Sequence, residues 1–265
     1  MKKTYDSERI AGCIPCEPLD GERRVAYLRP GQLLTALNEC PVAYVPLGTL
    51  EWHGRHNPLG CDMIKAESVC AAAARQSGGV VTPPLFLSSD VHRDKGSGLG
   101  LGMDATAGFV LPGSFYYTPP ALFQEILMTV CENLLSRGVR LVVIVSGHNP
   151  TIQRNLVEDV CYRFMTPDGL EPVIMRMEYD AADDPSLQLE RVSDHAAGYE
   201  TSMMLHLTDR VRMNANDGLT PRDLGVSGEI PFDEATAAFG GRCFESEVRG
   251  LAADVLQHLK SLGNG

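Results

Sequence analysis

Three short segments of the chain place histidine near carboxylate residues, a combination that can bind metal ions or transfer protons. The first segment runs from residue 49 to 62 and contains Glu51, His53 and Asp62. In an extended backbone, Glu51 and His53 would point the same way, because residues two apart share a face. Asp62 would begin the next helix, where negative charge is favoured. This mixed oxygen and nitrogen set suits Zn²⁺, Mn²⁺ and related divalent ions. A polar loop with a helix cap at Asp62 is the alternative interpretation.

The other two segments lie far along the chain. His148 directly follows the most hydrophobic predicted strand, where a hydrogen-bonded structural histidine is the alternative to a metal ligand. His195 and Glu200 lie five residues apart at a predicted helix entrance, which could equally be an N-terminal turn with favourable acidic residues. Together the three segments offer enough ligands for two metal ions bridged by one carboxylate. An additional histidine would then serve as general acid or base.

The elements that must position these residues alternate between strand and helix patterns. We predict strands at 42–48, 80–83, 141–145 and 173–177, and helices at 31–39, 62–76, 119–137, 151–165, 198–207 and 245–261. A long Gly-rich loop is predicted at 88–113, and such loops are usually functional or disordered. The alternation indicates an α/β fold with a mainly parallel sheet. Ligands bind beyond the carboxyl ends of such strands, where the three segments fall. We predict one domain over residues 1–265, with an irregular leader at 1–28.

Composition limits the functions that this chain can have. The net charge of −11 argues against a nucleic-acid surface, which needs clustered Lys and Arg. No apolar run approaches the ~20 residues of a membrane span, so we expect no membrane partner. The eight cysteines, without an apolar signal region at residues 1–6, predict free thiols and a cytoplasmic location. The C-x-x-C pair at Cys13 and Cys16 has no second pair to complete a zinc ribbon.

In these segments the sequence resembles the creatininase (creatinine amidohydrolase) family. Residues 48–62 match the family pattern G-[ST]-x-E-x-H-G-x-H-L-P-x-x-x-D closely. The one difference is Asn57, which replaces the apolar residue before the proline of the pattern. Residues 111–114 resemble its P-G-T segment, and residues 146–148 fall where the family has N-G-H. Residues 195–202 resemble its H-A-G-x-x-E-T-S motif, with the His-to-Glu spacing intact.

The resemblance implies a doubly wound α/β fold, with helices on both faces of the sheet, and a metal-dependent hydrolase. It implies two divalent ions per chain, Zn²⁺ and/or Mn²⁺ with Fe²⁺ as a further option, and a bridging water that attacks a carbonyl or amidine-like carbon. His195 would be the catalytic proton-transfer residue. It also implies a homo-oligomer, with a hexamer as one form. The residues that it makes metal ligands, with Asp62 as the bridge, are Glu51, His53, Asp62, His148 and Glu200.

The chain departs from creatininase itself near the expected substrate. Asn149-Pro150-Thr151 follows His148, so the carboxylate that creatininase places two residues beyond this histidine is absent. Creatininase also surrounds its substrate with tryptophans, whereas Trp52 is the single tryptophan here. We therefore expect a small cyclic amide or related C–N bond other than creatinine. The alternatives are a cyclic ketone of keto-inositol type, opened by C–C cleavage at the same metals, and a non-catalytic metal or ligand-binding protein. The candidate substrate contacts are Arg55, His56, Trp52 and Asp104.

Overall fold

The fold is described from a computed structural model, which covers residues 13–94, 98–104, 110–189, 194–216, 218 and 225–263. The strands are β1 (Val42–Gly48), β2 (Val80–Val81), β3 (Leu85–Phe86), β4 (Val91–Asp94), β5 (Gly98–Leu101), β6 (Leu141–Ser146) and β7 (Val173–Met177). The α-helices are α1 (Pro30–Glu39), α2 (Cys61–Ser77), α3 (Pro120–Leu135), α4 (Thr151–Phe164), α5 (Gly198–Leu207) and α6 (Ala237–Ser261). Short 3₁₀ turns, including Val25–Tyr27 in the predicted leader, connect several of them.

The main sheet is parallel and runs in the order β2-β1-β6-β7, with β3 also paired to β1. β2 pairs with the first half of β1, at Ala43↔Val80, and β3 pairs with its end, at Gly48↔Phe86. β6 is the longest neighbour of β1, from Val42↔Leu141 to Leu47↔Ser146. Parallel pairing brings the carboxyl ends of β1, β6 and β7 to one edge of the sheet, which is where α/β folds bind ligands.

Helices cover both faces of this sheet because alternate residues of the buried strands point to opposite sides. Tyr44 and Val143 belong to the cluster that includes residues from α2, α5 and α6. Val45 and Ile144 belong to the opposite cluster, with residues from α1, α3 and α4. β1 and β6 are buried along their whole length. The doubly wound α/β architecture is therefore as predicted.

The elements agree with the sequence pattern except in three places, the first of which is the short unpredicted strand β3. The predicted loop at 88–113 contains an antiparallel hairpin of β4 and β5, with Asp94 paired to Gly98. Alternating glycines in β5 conceal this strand, because glycine has a low strand propensity. Helix α6 begins at Ala237, well before the predicted residue 245, although Gly240 and Gly241 suggest a break. A Cβ on Gly240 would overlap the carbonyl oxygen of Ser202, so glycine permits close packing of α6 on α5.

Two composition-based predictions can also be compared with the structure. All eight cysteines are free thiols, as predicted. Within the described residues, no helix is both long enough and apolar enough to cross a membrane. The assignment of residues 1–265 to one domain stays a prediction, and residues 1–12 of the predicted leader lie outside the described residues.

Candidate metal centre

The carboxyl edge of the sheet brings the three sequence segments together. Glu51 and His53 lie on the loop after β1, and Asp62 is in the first turn of α2. His148 lies between β6 and α4, and Glu200 is in the first turn of α5. These five side chains are each less than 10% exposed. Residues up to 149 positions apart in the chain thus form one buried cluster of carboxylates and imidazoles.

Asp62 occupies the centre of this cluster, because its two oxygens face two different groups. Asp62 Oδ2 lies 3.1 Å from His148 Nδ1, which is also 3.1 Å from Glu51 Oε2. Asp62 Oδ1 lies 3.0 Å from His53 Nε2, which is 3.5 Å from Glu200 Oε2. The ligand atoms of Glu51, Asp62 and His148 lie within 4.8 Å of one another, as a shared metal ion requires. Asp62 therefore lies between two groups of potential ligands, Glu51 with His148 and His53 with Glu200.

The hydrogen bonds around the cluster leave the correct atoms available for metals. His53 Nδ1 donates to the carbonyl oxygen of Glu51 at 3.1 Å, so the lone pair of the neutral ring is on Nε2. Glu51 Oε1 accepts from Tyr117 and from the Met103 amide, which leaves Oε2 for a metal. His53 Nε2 and Asp62 Oδ2 are buried and make no hydrogen bond of good geometry, although each lies 3.0–3.1 Å from an atom of the cluster. Unpartnered buried polar atoms are costly, and a bound cation would satisfy both of them. The residues present therefore fit divalent metal ions.

The electrostatics of the cluster also call for positive charge among its carboxylates. Burial lowers the pKa of His53, but the charges of Asp62 and Glu200 outweigh burial and raise it to about 9. Burial also lowers the pKa of His148, whereas Glu51 and Asp62 raise it well above its usual value. The two histidines in turn depress the pKa of Asp62 against the effect of burial. In the metal-free chain, protons on the histidines thus balance the carboxylates, and metal ions must displace these protons.

His195 lies against this cluster, and one of its ring nitrogens is within 4.8 Å of ligand atoms of Glu51 and His53. Its ring stacks on His53 with centroids 4.5 Å apart. His195 Nε2 donates to the carbonyl oxygen of Trp52 at 2.8 Å, so Nδ1 is the basic nitrogen of the neutral ring. Burial, followed by the charge of His53, lowers the pKa of His195. The ring is therefore neutral at pH 7 and able to accept a proton.

Two buried charged residues at the site were not predicted from the sequence. Lys65 Nζ donates to Glu178 at 2.9 Å and to Glu200 at 2.5 Å, and both Lys65 and Glu178 are 1% exposed. Glu178 directly follows β7 and also accepts from Asn149 Nδ2 at 3.1 Å. The signal for Glu178 was its position directly after the predicted strand at 173–177. Lys65 follows Asp62 by one helical turn, a spacing that places both residues on the same helix face.

Cys61 is a third unpredicted neighbour. Its Sγ lies within 4.8 Å of ligand atoms of His53 and Glu200. Burial raises the pKa of this thiol well above its ordinary value. In the metal-free chain it is therefore a neutral, buried neighbour of the cluster.

A cavity of about 580 Å³ opens onto the cluster and is lined by Glu51, Asp62, Lys65, Asp90, Met103, Gly147, His148, Asn149, Pro150, Thr151, Arg154, Met177, Glu178, Tyr179, Asp180, Asp194, His195, Tyr199 and Glu200. Pockets of 300–1,000 Å³ are typical of small-molecule sites.

The four predicted substrate contacts do not line this cavity. Arg55 is exposed, and Trp52 is half-buried.

The two remaining candidates, His56 and Asp104, are engaged in structural hydrogen bonds. His56 Nε2 contacts Ala196 O at 3.0 Å, and its Nδ1 accepts from Asn216 at 2.6 Å. No ring nitrogen of His56 is left for a substrate. Asp104 accepts from the amides of Leu101 and Leu111, which ties together the segment after β5. Both side chains thus stabilise loops, and a substrate role for the four residues stays a prediction.

Comparison with known proteins agrees with the fold and with these motifs. The family model described as creatinine amidohydrolase matches residues 26–253, so the chain belongs to the creatininase family. The mycofactocin precursor peptide peptidase of Mycolicibacterium smegmatis is 25% identical over 239 residues, which cover 80% of this chain and 83% of that protein. The creatinine amidohydrolase of Pseudomonas putida is 26% identical over 185 residues, which cover 65% of this chain and 66% of that protein. The chain is accordingly a metal-dependent hydrolase of this family.

Solved structures of creatininase share the fold. One crystal structure superposes with a TM-score of 0.70 and 19% identity, covering 92% of this chain and 99% of that chain. A structure designated "Creatininase Mn" gives a TM-score of 0.68 at 19% identity, with coverage of 89% and 98%. A mutant creatininase of "Zn-Zn type" gives a TM-score of 0.67 at 20% identity, covering 88% of this chain and 97% of that chain. At these identities the likeness establishes the α/β fold.

Proposed function

We propose that the chain is a binuclear amidohydrolase that cleaves a C–N bond of a small cyclic amide or a related substrate. The observation that carries this proposal is the placement of Asp62, whose two oxygens face two separate ligand groups. Glu51 and His148 would hold one divalent ion with Asp62, and His53 and Glu200 would hold the second. Oxygen and nitrogen ligands of this kind suit Zn²⁺ and Mn²⁺, and the names of two similar structures mention Mn and Zn.

The metals and the surrounding residues would divide the chemistry between them. When bound, two divalent ions polarise a substrate carbonyl and lower the pKa of a water molecule. His195 would accept a proton at Nδ1 and return it to the leaving nitrogen, because Trp52 O fixes the proton on Nε2. Lys65 fixes the carboxylate of Glu200 through Oε1 and so directs Oε2 toward the cluster.

The substrate is inferred from what surrounds the cluster. Glu178 supplies a carboxylate to the cavity from the end of β7, whereas creatininase places one after its histidine. The residue that follows His148 here, Asn149, hydrogen-bonds to this carboxylate instead. The carboxylate beside the cluster thus comes from a different position in the chain than in creatininase, which supports an amide substrate other than creatinine.

A second candidate is hydrolysis of a peptide amide bond. The similarity to the mycofactocin precursor peptide peptidase, which extends over 80% of this chain, favours it. The chemistry at the metals would be the same, because both reactions attack an amide carbonyl. The cavity, at about 580 Å³, would admit the terminal residues of a peptide.

Metal analysis followed by a substrate screen tests the proposal. Protein purified without chelator should hold close to two transition-metal equivalents per chain, measured by inductively coupled plasma mass spectrometry. Less than half an equivalent would refute the binuclear site. The metal-loaded protein is then assayed on cyclic amides, formamides, peptides and keto-cyclitols. Turnover of keto-cyclitols alone would replace C–N cleavage with C–C cleavage at the same centre, and chelator-treated protein is the matched control.

A further inference from the structure

The site cavity contains one permanent cation that the proposed chemistry does not use. Two side chains with a permanent positive charge line it, Lys65 and Arg154. Lys65 is already bonded to Glu178 and Glu200, so its charge is balanced within the protein. Arg154 forms no ion pair with any residue that the structure describes.

The position of Arg154 makes it accessible to a substrate. It lies in the first turn of α4, six residues after His148, and its side chain is half-buried. Its Nη1 reaches Met177 Sδ at 4.0 Å, a weak contact, and its Nε is buried without a hydrogen-bond partner. An arginine held in this way pays a desolvation cost that an anion would recover.

A carboxylate is the anion that fits this environment. The guanidinium group offers a planar fork of donors that matches a carboxylate geometrically. Asp180 lines the same wall, and burial raises the pKa of its carboxyl group, an effect that the charge of Arg154 partly offsets. The Asp180 carboxylate accepts from the Met177 amide at 2.8 Å and forms no direct ion pair with Arg154, so the donors of the guanidinium fork stay available. The numerous carboxylates lining the rest of the cavity would repel an anion from other positions, so they direct it to Arg154.

We propose that Arg154 forms an anion-binding subsite, and that the substrate carries a carboxylate group beside the amide that is cleaved. This inference rests on the proposed amidohydrolase function and narrows its substrate class to carboxylate-bearing amides. The carboxylate would bind at the start of α4 while the amide carbonyl reaches the metal centre. Arg154 would then determine specificity by binding, and the proton transfers would remain with His195.

Two ring amides that differ in a single group test the subsite. Dihydroorotate carries a carboxylate, and dihydrouracil is the same ring without it. Binding of each to the metal-loaded protein is measured by isothermal titration calorimetry. We expect dihydroorotate to bind about 10- to 100-fold more tightly, the range of a charge-assisted hydrogen-bonded pair. Arg154→Gln should abolish the difference, and Arg154→Lys should retain part of it.

Arg176→Gln is the matched control, because Arg176 pairs with Asp254 at 2.8 Å and does not line this cavity. A preference for dihydroorotate that persists in Arg154→Gln would place the carboxylate on the metals and refute the subsite. Binding of neither ring, or equal binding of both, would refute it as well. The titrations are repeated on chelator-treated protein, and metal content is measured in every sample. Protein with two metals and no Arg154-dependent preference refutes the subsite alone. An Arg154-dependent preference in protein that was purified without chelator and holds less than half a metal equivalent supports the subsite and refutes the binuclear function.

Discussion

Replacement of Lys65 by methionine should destabilise the metal-free protein strongly. The Lys65 ammonium is 1% exposed and neutralises Glu178 and Glu200, which are 1% and 5% exposed. Removing one member of a buried charge pair costs about 3–5 kcal/mol, because the remaining charge is left without compensation. Part of this cost can be recovered, since burial already raises the pKa of Glu178 and the carboxyl group can take up a proton. We therefore expect the low end, about 3 kcal/mol.

The predicted loss of folding stability in Lys65→Met has a measurable size and a definite pH dependence. For a chain of this length it corresponds to a fall in melting temperature of about 6–12 °C, from about 2–4 °C per kcal/mol. In Lys65→Met the folded-state pKa of Glu178 would lie above its unfolded value. The folded state then binds more protons than the unfolded state, so its stability decreases as pH rises. The deficit relative to the wild type should accordingly be larger at pH 8 than at pH 5.

Thermal unfolding followed by circular dichroism, in the presence of chelator, measures this effect. Lys260→Met is the matched control, because Lys260 is exposed on the last turns of α6. Glu178→Gln and the double variant complete a mutant cycle, in which the interaction energy of neighbours in one network reaches about 0.5–3 kcal/mol. If Lys65→Met melts within 1 °C of Lys260→Met, the buried ion pairs do not stabilise the fold and the reasoning is wrong. The same conclusion follows if the deficit does not change with pH.

Three further predictions concern the metal centre. Asp62→Ala should lose both metals, because it removes the carboxylate between the two ligand groups; retention of two equivalents by elemental analysis would show that Asp62 does not bridge. His195→Ala should keep its metals while turnover falls by about 10²–10⁴-fold, as for a general acid–base group; unchanged turnover would exclude His195 from proton transfer. Metal binding should release about two protons per chain at pH 7, since His53 and His148 are protonated without metal, and affinity should weaken as pH falls. Calorimetry in buffers of different ionisation enthalpy counts these protons, and a release near zero would contradict the protonated state of the histidines.

The sequence by itself predicted the architecture and the five candidate metal ligands that the structure brings together. Uninterrupted apolar runs rich in β-branched residues, such as 141–145, indicate strands buried on both faces, and their alternation with helices indicates a parallel sheet. Because parallel strands end at one edge, residues that follow strands, such as His148, can be grouped from their positions in the chain. The motif around Glu51 and Asp62 then indicated the family, which the comparisons confirmed.

Tertiary structure alone decided how these residues are connected. Lys65 lies on a helix whose sequence is otherwise ordinary, and its charge acquires a role only because α5 and the end of β7 bring Glu200 and Glu178 to it. The engagement of His56 by Ala196 likewise joins positions 140 residues apart. The division of Asp62 between two ligand groups depends on side-chain geometry within a cluster drawn from four elements. Local patterns encode which face of an element is buried, whereas long-range contacts and the balance of buried charge arise only when the elements pack together.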